Sequence, residues 1–183
     1  MVYMDYTNCT DSIHSSELSL PGGTRPLGVE FQQIVFNFNC FPLRDMYFTK
    51  FRIINKSYLT WDSVYFTSAN DPDLGDYTRE PSGCDSSRNL GFLYKKTNFD
   101  EYYGINPPTF GTRYLQGPIV YTGNNNDTAK LPYDTLTGYI HKGMTSFNIF
   151  WNGGNECTGD PDEAFRAYFY MKGLDGCGVP LTN

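Results

Sequence analysis

Nine residues, Met46-Tyr47-Phe48-Thr49-Lys50-Phe51-Arg52-Ile53-Ile54, do most to decide what this chain can fold into. Aromatic and β-branched side chains interleaved with charged ones fit a pleated surface and lose rotamer freedom in a helix. The pattern recurs upstream, where Val29, Phe31, Ile34, Phe36 and Phe38 alternate with polar neighbours, the phase slipping at Gln32-Gln33. Residues 60–67, 89–94, 112–121 and 145–151 are further strand candidates.

Turn chemistry fills the intervals. Residues 1–27 form a polar lead-in with room for one short strand, closing on Leu20-Pro21-Gly22-Gly23-Thr24-Arg25-Pro26. Asn106-Pro107-Pro108 excludes a central strand over 98–111, because proline lacks the ladder donor. Gly123-Asn124-Asn125-Asn126-Asp127 reads as a turn tip. One helix is signalled, over about 160–173. Asp160 can cap it, Pro161 suits its first position, Glu163 has capping-box spacing, and Gly173 can stop it. Its apolar face would be Ala164, Phe165, Tyr168, Phe169 and Met171. These elements predict a mainly β fold, an antiparallel β-sandwich of jelly-roll or immunoglobulin-like type with long loops and one C-terminal helix. The sandwich would be a single domain over 28–183.

A chain of 183 residues is long enough to bury a core, and its 15 Tyr and 14 Phe supply the material. The net charge of −6 and the lack of any basic stripe beyond Lys95-Lys96 argue against a nucleic-acid partner. No apolar run approaches the roughly 20 residues of a membrane helix, so no membrane insertion is expected. Met1-Val2-Tyr3-Met4-Asp5 has neither the basic start nor the apolar run of a secretion leader. The chain is therefore expected to be a mature domain or a piece of a longer secreted protein. Among five cysteines there is no zinc-type spacing. Cys9–Cys40 and Cys157–Cys177 are the pairings expected, leaving Cys84 buried beside the acidic loop.

That loop is Asp71-Pro72-Asp73-Leu74-Gly75-Asp76, followed by Glu80 and by Gly83-Cys84-Asp85. Carboxylates spaced by Pro and Gly can converge on a hard cation, and Ca²⁺ takes 6–8 oxygens at about 2.3–2.6 Å. Asp71, Asp73, Asp76, Glu80 and Asp85 are the candidate Ca²⁺ ligands; the plain alternative is a solvated acidic turn between strands. No EF-hand is present, because Ser82 stands where the closing Glu belongs. Catalysis has little to build on. His14 lies in the lead-in, His141 reads as a surface turn residue, and neither sits in a nucleophile or metalloprotease motif. No catalytic residues are assigned. Trp61, Trp151, Tyr102, Tyr103 and Tyr121 could serve as platforms for sugar rings. Asn8-Cys9-Thr10, Asn55-Lys56-Ser57 and Asn126-Asp127-Thr128 match the N-glycosylation pattern, which arises easily by chance.

An ordered series of motifs runs through residues 26–181. It comprises Pro26-Leu27-Gly28-Val29-Glu30, Ile53-Ile54-Asn55-Lys56-Ser57, the acidic hexapeptide, Gly83-Cys84-Asp85 and Asn89-Leu90-Gly91-Phe92. Tyr103-Gly104, Asn106-Pro107-Pro108, Leu115-Gln116-Gly117-Pro118 and Tyr170-Met171-Lys172-Gly173-Leu174 complete it. The series resembles a module of large secreted proteins of Bacteroidota and related bacteria, many of them type IX secretion cargo. The resemblance implies an extracellular or cell-surface β-module, commonly without an assigned activity. Two departures from what the resemblance leads one to expect stand out: Arg79-Glu80 stands where family members often carry two acids, and the C-terminal sorting domain expected of type IX cargo does not follow Asn183 in this sequence. The expectation is a non-catalytic structural or adhesive module with Ca²⁺-stabilised loops, part of a surface layer or filament. Its partners would be neighbouring copies, other surface proteins or glycans, and the alternative is a carbohydrate-binding module of a larger secreted protein.

Overall fold

The computed structural model describes residues 2–6, 27–76, 80–151 and 153–181. Two compact units emerge, one of residues 1–64 with 161–167, the other of residues 65–160 with 168–183. The fold is mainly antiparallel β with one helix among the described residues.

The first unit holds an antiparallel sheet of β1 (Val2–Tyr6), β2 (Val29–Asn37) and β3 (Tyr47–Asn55), with β2 in the middle. β1 is the short strand for which the lead-in left room; residues 7–26, with Cys9 and His14, lie outside the described residues. In the β2–β3 register Phe36 faces Phe48, Gln32 faces Arg52 and Glu30 faces Ile54. A strict period of two puts Glu30, Gln32, Ile34 and Phe36 on one face, with Val29, Phe31, Gln33 and Val35 on the other. The phase slip at Gln32-Gln33 therefore distributes apolar residues over both faces without breaking the strand. Phe36 stacks on Phe48 at 5.4 Å, and Phe38 meets both rings edge-on at 5.8 and 5.7 Å. At the other end of this face Glu30 is buried, held by Lys56 Nζ at 2.9 Å and by Gln32 Nε2 at 2.5 Å.

The second unit is built from short strands in small sheets. β4 (Ser82–Asp85), β5 (Leu90–Leu93) and β8 (Phe110–Arg113) form a three-stranded sheet with β5 in the middle. β6 (Phe99–Asp100) pairs with β7 (Gly104–Ile105). β9 (Ile119–Tyr121) pairs with β12 (Tyr139–His141), and β10 (Thr128–Lys130) with β11 (Thr135–Thr137). Two expected strands are absent. Residues 60–67 and 145–150 are irregular. In the former, Ser63 takes a left-handed φ of 54°, which interrupts an extended run. In the latter, Ser146 and Asn148 turn to backbone carbonyls of the helix end: Ser146 Oγ donates to Met171 O at 3.1 Å, and Asn148 Nδ2 donates to Tyr170 O. The 112–121 candidate divides into β8 and β9 around Leu115-Gln116-Gly117-Pro118.

Helix α1 spans Ala164–Met171, four residues shorter at its start than expected. The N–H groups of Arg166 and Ala167 donate to Glu163 O at 3.0 and 3.2 Å, which makes Glu163 rather than Asp160 the boundary residue. Its end is as expected. Gly173 has φ 82°, Leu174 N–H reaches Phe169 O at 3.0 Å and Gly173 N–H reaches Tyr170 O at 3.0 Å. This pair of bonds is a Schellman motif, which needs a left-handed residue that glycine supplies without strain. Beyond it, Cys177 is bonded to Cys157 with a Cα–Cα distance of 4.8 Å, and the buried Tyr170 hydroxyl lies 2.9 Å from Gly159 O. Cys40 and Cys84 are exposed, so Cys84 is not the buried thiol expected.

Candidate functional site

The antiparallel register of β4 and β5 pairs Ser82 with Leu93. Tyr94 N–H donates to Pro81 O at 3.2 Å, which carries the pairing outward. One step further the same register sets Glu80 opposite Lys95, a cross-strand pair of opposite charges. The contact is made: Lys95 Nζ lies 3.2 Å from Glu80 Oε1. It lies 3.2 Å from Asp100 Oδ2 as well, and it also donates to the backbone carbonyl of Asp76. The side chains of Lys95, Glu80 and Asp100 are 3, 7 and 2 % exposed, so the cluster is closed to solvent.

Backbone donors complete it. Leu74 N–H reaches Glu80 Oε1 at 2.6 Å, and Asp76 N–H reaches Asp100 Oδ2 at 3.2 Å. The β6–β7 turn brings the N–H groups of Tyr102 and Tyr103 to Asp100 Oδ1 at 2.9 and 3.1 Å. Gly75, at φ 80°, passes so close that a Cβ there would overlap the Asp100 carboxylate. Burial alone would raise the Asp100 carboxyl, but the N–H groups of Tyr102, Asp76 and Tyr103, together with Lys95, bring it down to about 2. Burial would likewise depress the Lys95 ammonium; Glu80 and Asp100 more than reverse this, and the net shift is upward. Lys95 and Asp100 both rest ionised.

Of the five acidic residues expected to converge, the structure brings only two to this point. Glu80 contributes its carboxylate and Asp76 its backbone N–H and carbonyl. Asp71 and Asp73 are exposed. Asp85 is engaged elsewhere, at the start of the 3₁₀ turn Ser86–Arg88. It accepts from Ser87 Oγ at 2.6 Å and Arg88 N–H at 3.1 Å, and it pairs with the Arg88 guanidinium. The Ser87 hydroxyl and the Arg88 side chain hold its carboxyl down to about 2. Among the described residues no group of three or more His, Cys, Asp or Glu side chains is arranged to hold a metal ion. A Ca²⁺ seated on Glu80 and Asp100 would have to displace the Lys95 ammonium. Sequence reasoning missed Lys95 and Asp100. In the sequence Lys95 reads only as half of a basic pair; the β4–β5 register is what sets it against Glu80.

His141 is not a turn residue but the half-buried end of β12. Nδ1 lies 3.0 Å from Gly117 O and Nε2 lies 2.9 Å from Lys130 O. Each ring nitrogen thus faces a backbone carbonyl rather than a carboxylate or a nucleophile. Of the aromatic candidates, Trp151, Tyr102, Tyr103 and Tyr121 are exposed and Trp61 is half-buried; Tyr121 packs on Tyr139 at 5.0 Å.

No helix among the described residues is long and apolar enough to cross a membrane. No protein-family model matches the chain, and neither a curated protein nor a solved structure does.

Proposed function

We propose that the chain is a non-catalytic structural or adhesive β-module of an extracellular or cell-surface protein, completed by packing against neighbouring copies or other surface proteins. The observation that carries this reading is where the apolar side chains lie. Among the described residues only Leu74, Ala129 and Tyr170 are buried hydrophobics, whereas Phe36, Phe38, Phe51, Tyr47, Ile105 and Trp151 are among many that are exposed. A chain of 183 residues ordinarily buries about 70 % of its unfolded surface, and large exposed apolar areas mark interaction surfaces. Among the described residues β3 is an outer strand of its sheet, a nine-residue edge of the kind that suits strand addition. The disulfide suits an oxidising compartment, and the motif series supports a bacterial cell-surface setting. Backbone carbonyls beside both His141 nitrogens favour a structural over a catalytic role for this ring.

The calcium part of the expectation takes a different form in this reading. The acidic loop is pinned by the chain's own cation, Lys95, at the point where Ca²⁺ was expected.

A second reading, a carbohydrate-binding module, rests on the exposed rings of Trp151, Tyr102 and Tyr103. Sedimentation velocity over a concentration series, followed by a glycan array, separates the two. Self-association or fibre growth without glycan binding is expected. A strictly monomeric chain that binds glycans, and loses them on Trp151→Ala, would replace the structural reading by the second.

A further inference from the structure

We propose that Lys95 and Asp100 condense into an intramolecular amide, with Glu80 carrying the protons. The nitrogen that would attack is 3.2 Å from one oxygen of the acceptor carboxyl and 3.2 Å from the carrier carboxylate. With the three side chains 3, 2 and 7 % exposed, reactants are held in contact and solvent is kept from the product. The acceptor is also prepared for the charge that develops. Attack at Asp100 Cγ builds negative charge on Oδ1, where the N–H groups of Tyr102 and Tyr103 already point at 2.9 and 3.1 Å. Asp76 N–H steadies Oδ2, the oxygen that leaves. Glu80 accepts from Leu74 N–H as well, which fixes its carboxylate against Nζ.

Because Lys95 and Asp100 rest ionised, the step opens with a proton passing from Lys95 Nζ through Glu80 to Asp100 Oδ2, which leaves a neutral amine beside a neutral carboxyl. The freed nitrogen lone pair forms the N–Cγ bond while the Cγ–Oδ1 π pair moves onto Oδ1. Glu80 then takes a second proton from the nitrogen and passes it to the Oδ2 hydroxyl. The Cγ–Oδ2 bond then breaks, Oδ2 departs as water, and the Oδ1 carbonyl re-forms. Of the three ammonium protons, two leave in the water and one stays on the amide. One positive and one negative charge disappear together, Glu80 is regenerated, and no oxidant or co-reactant takes part. The link would close the segment between Lys95 and β6, fixing covalently the loop that the ion pairs fix now. It does not depend on the functional reading above.

The test is the intact mass of the reduced, unfolded full-length chain. The expected mass is lower than that of the sequence by one water, with fragmentation placing the loss in a branch between Lys95 and Asp100. Lys95→Arg keeps the charge but should show the full mass. Glu80→Gln should condense roughly a hundredfold more slowly. A wild-type chain of full mass, whose Lys95 is acylated by an amine reagent once unfolded, overturns the proposal. So does a water loss that maps elsewhere, such as a succinimide at Asp175-Gly176. The wild-type result stands even if a variant fails to fold.

Discussion

At the scale of single residues, Lys95 and Gly75 decide the acidic loop. Removing the ammonium leaves Glu80 and Asp100 as buried carboxylates facing each other, a cost that truncating one partner of a buried ion pair regularly shows. Lys95→Met is expected to lower the melting temperature by roughly 10 °C, read by differential scanning calorimetry. Gly75→Ala should destabilise through the same site by a different route, since its Cβ meets Asp100 and its φ of 80° strains any L side chain. Asp85 supplies a pH signature. Its carboxyl is held at about 2 against an ordinary 3.8, so its contribution is present above the unfolded value and is lost as pH falls from about 4 towards 2. Chemical unfolding across that window should show a shallower acid limb for Asp85→Asn than for the parent chain. Glu80 was legible in the sequence as part of an acidic cluster; its partners Lys95 and Asp100 were not. Lys95 is 19 residues from Asp76, and their meeting depends on a strand register that residue spacing alone does not specify.

Among the elements, those whose chemistry is local were the most readable. Gly173 was expected to end α1 because a Schellman turn needs a left-handed residue, and the two reaching N–H bonds confirm it. Gly173→Ala is expected to cost about 1 kcal/mol in urea unfolding, from strain at that φ. The start of α1 was less readable, since Asp162 pairs with Arg166 at 3.1 Å and the helical bonds begin from Glu163. β2, β3 and β5 follow from alternating or apolar runs. Residues 60–67 share that composition and still form no strand, because β propensity acts only where a neighbouring strand offers its ladder. The disulfide pairing Cys157–Cys177 was expected from proximity in sequence and is made. Replacing both cysteines by alanine should lower stability by about 3 kcal/mol, the entropy of reopening a loop of that separation.

For the molecule as a whole, the calcium expectation and the lysine-pinned loop part company in one experiment. Thermal unfolding in EDTA and in millimolar Ca²⁺ is expected to give the same midpoint, because the Lys95–Asp100 contact, as ion pair or as amide, leaves no pair of free carboxylates there for calcium to bridge. A midpoint raised by calcium and returned by Asp71→Ala with Asp73→Ala would place an ion on the exposed acids instead. The Cys157–Cys177 bond has a mechanical corollary for a module that works under tension. Pull on the chain from either side of the closed loop, and force crosses from Cys157 to Cys177 through sulfur. Residues 158–176, with α1, its glycine stop and the Tyr170 hydroxyl bonds, then lie off the covalent load path. Reduction would return that whole stretch to the line of force, so the same module would be inextensible there when oxidised and yielding when reduced.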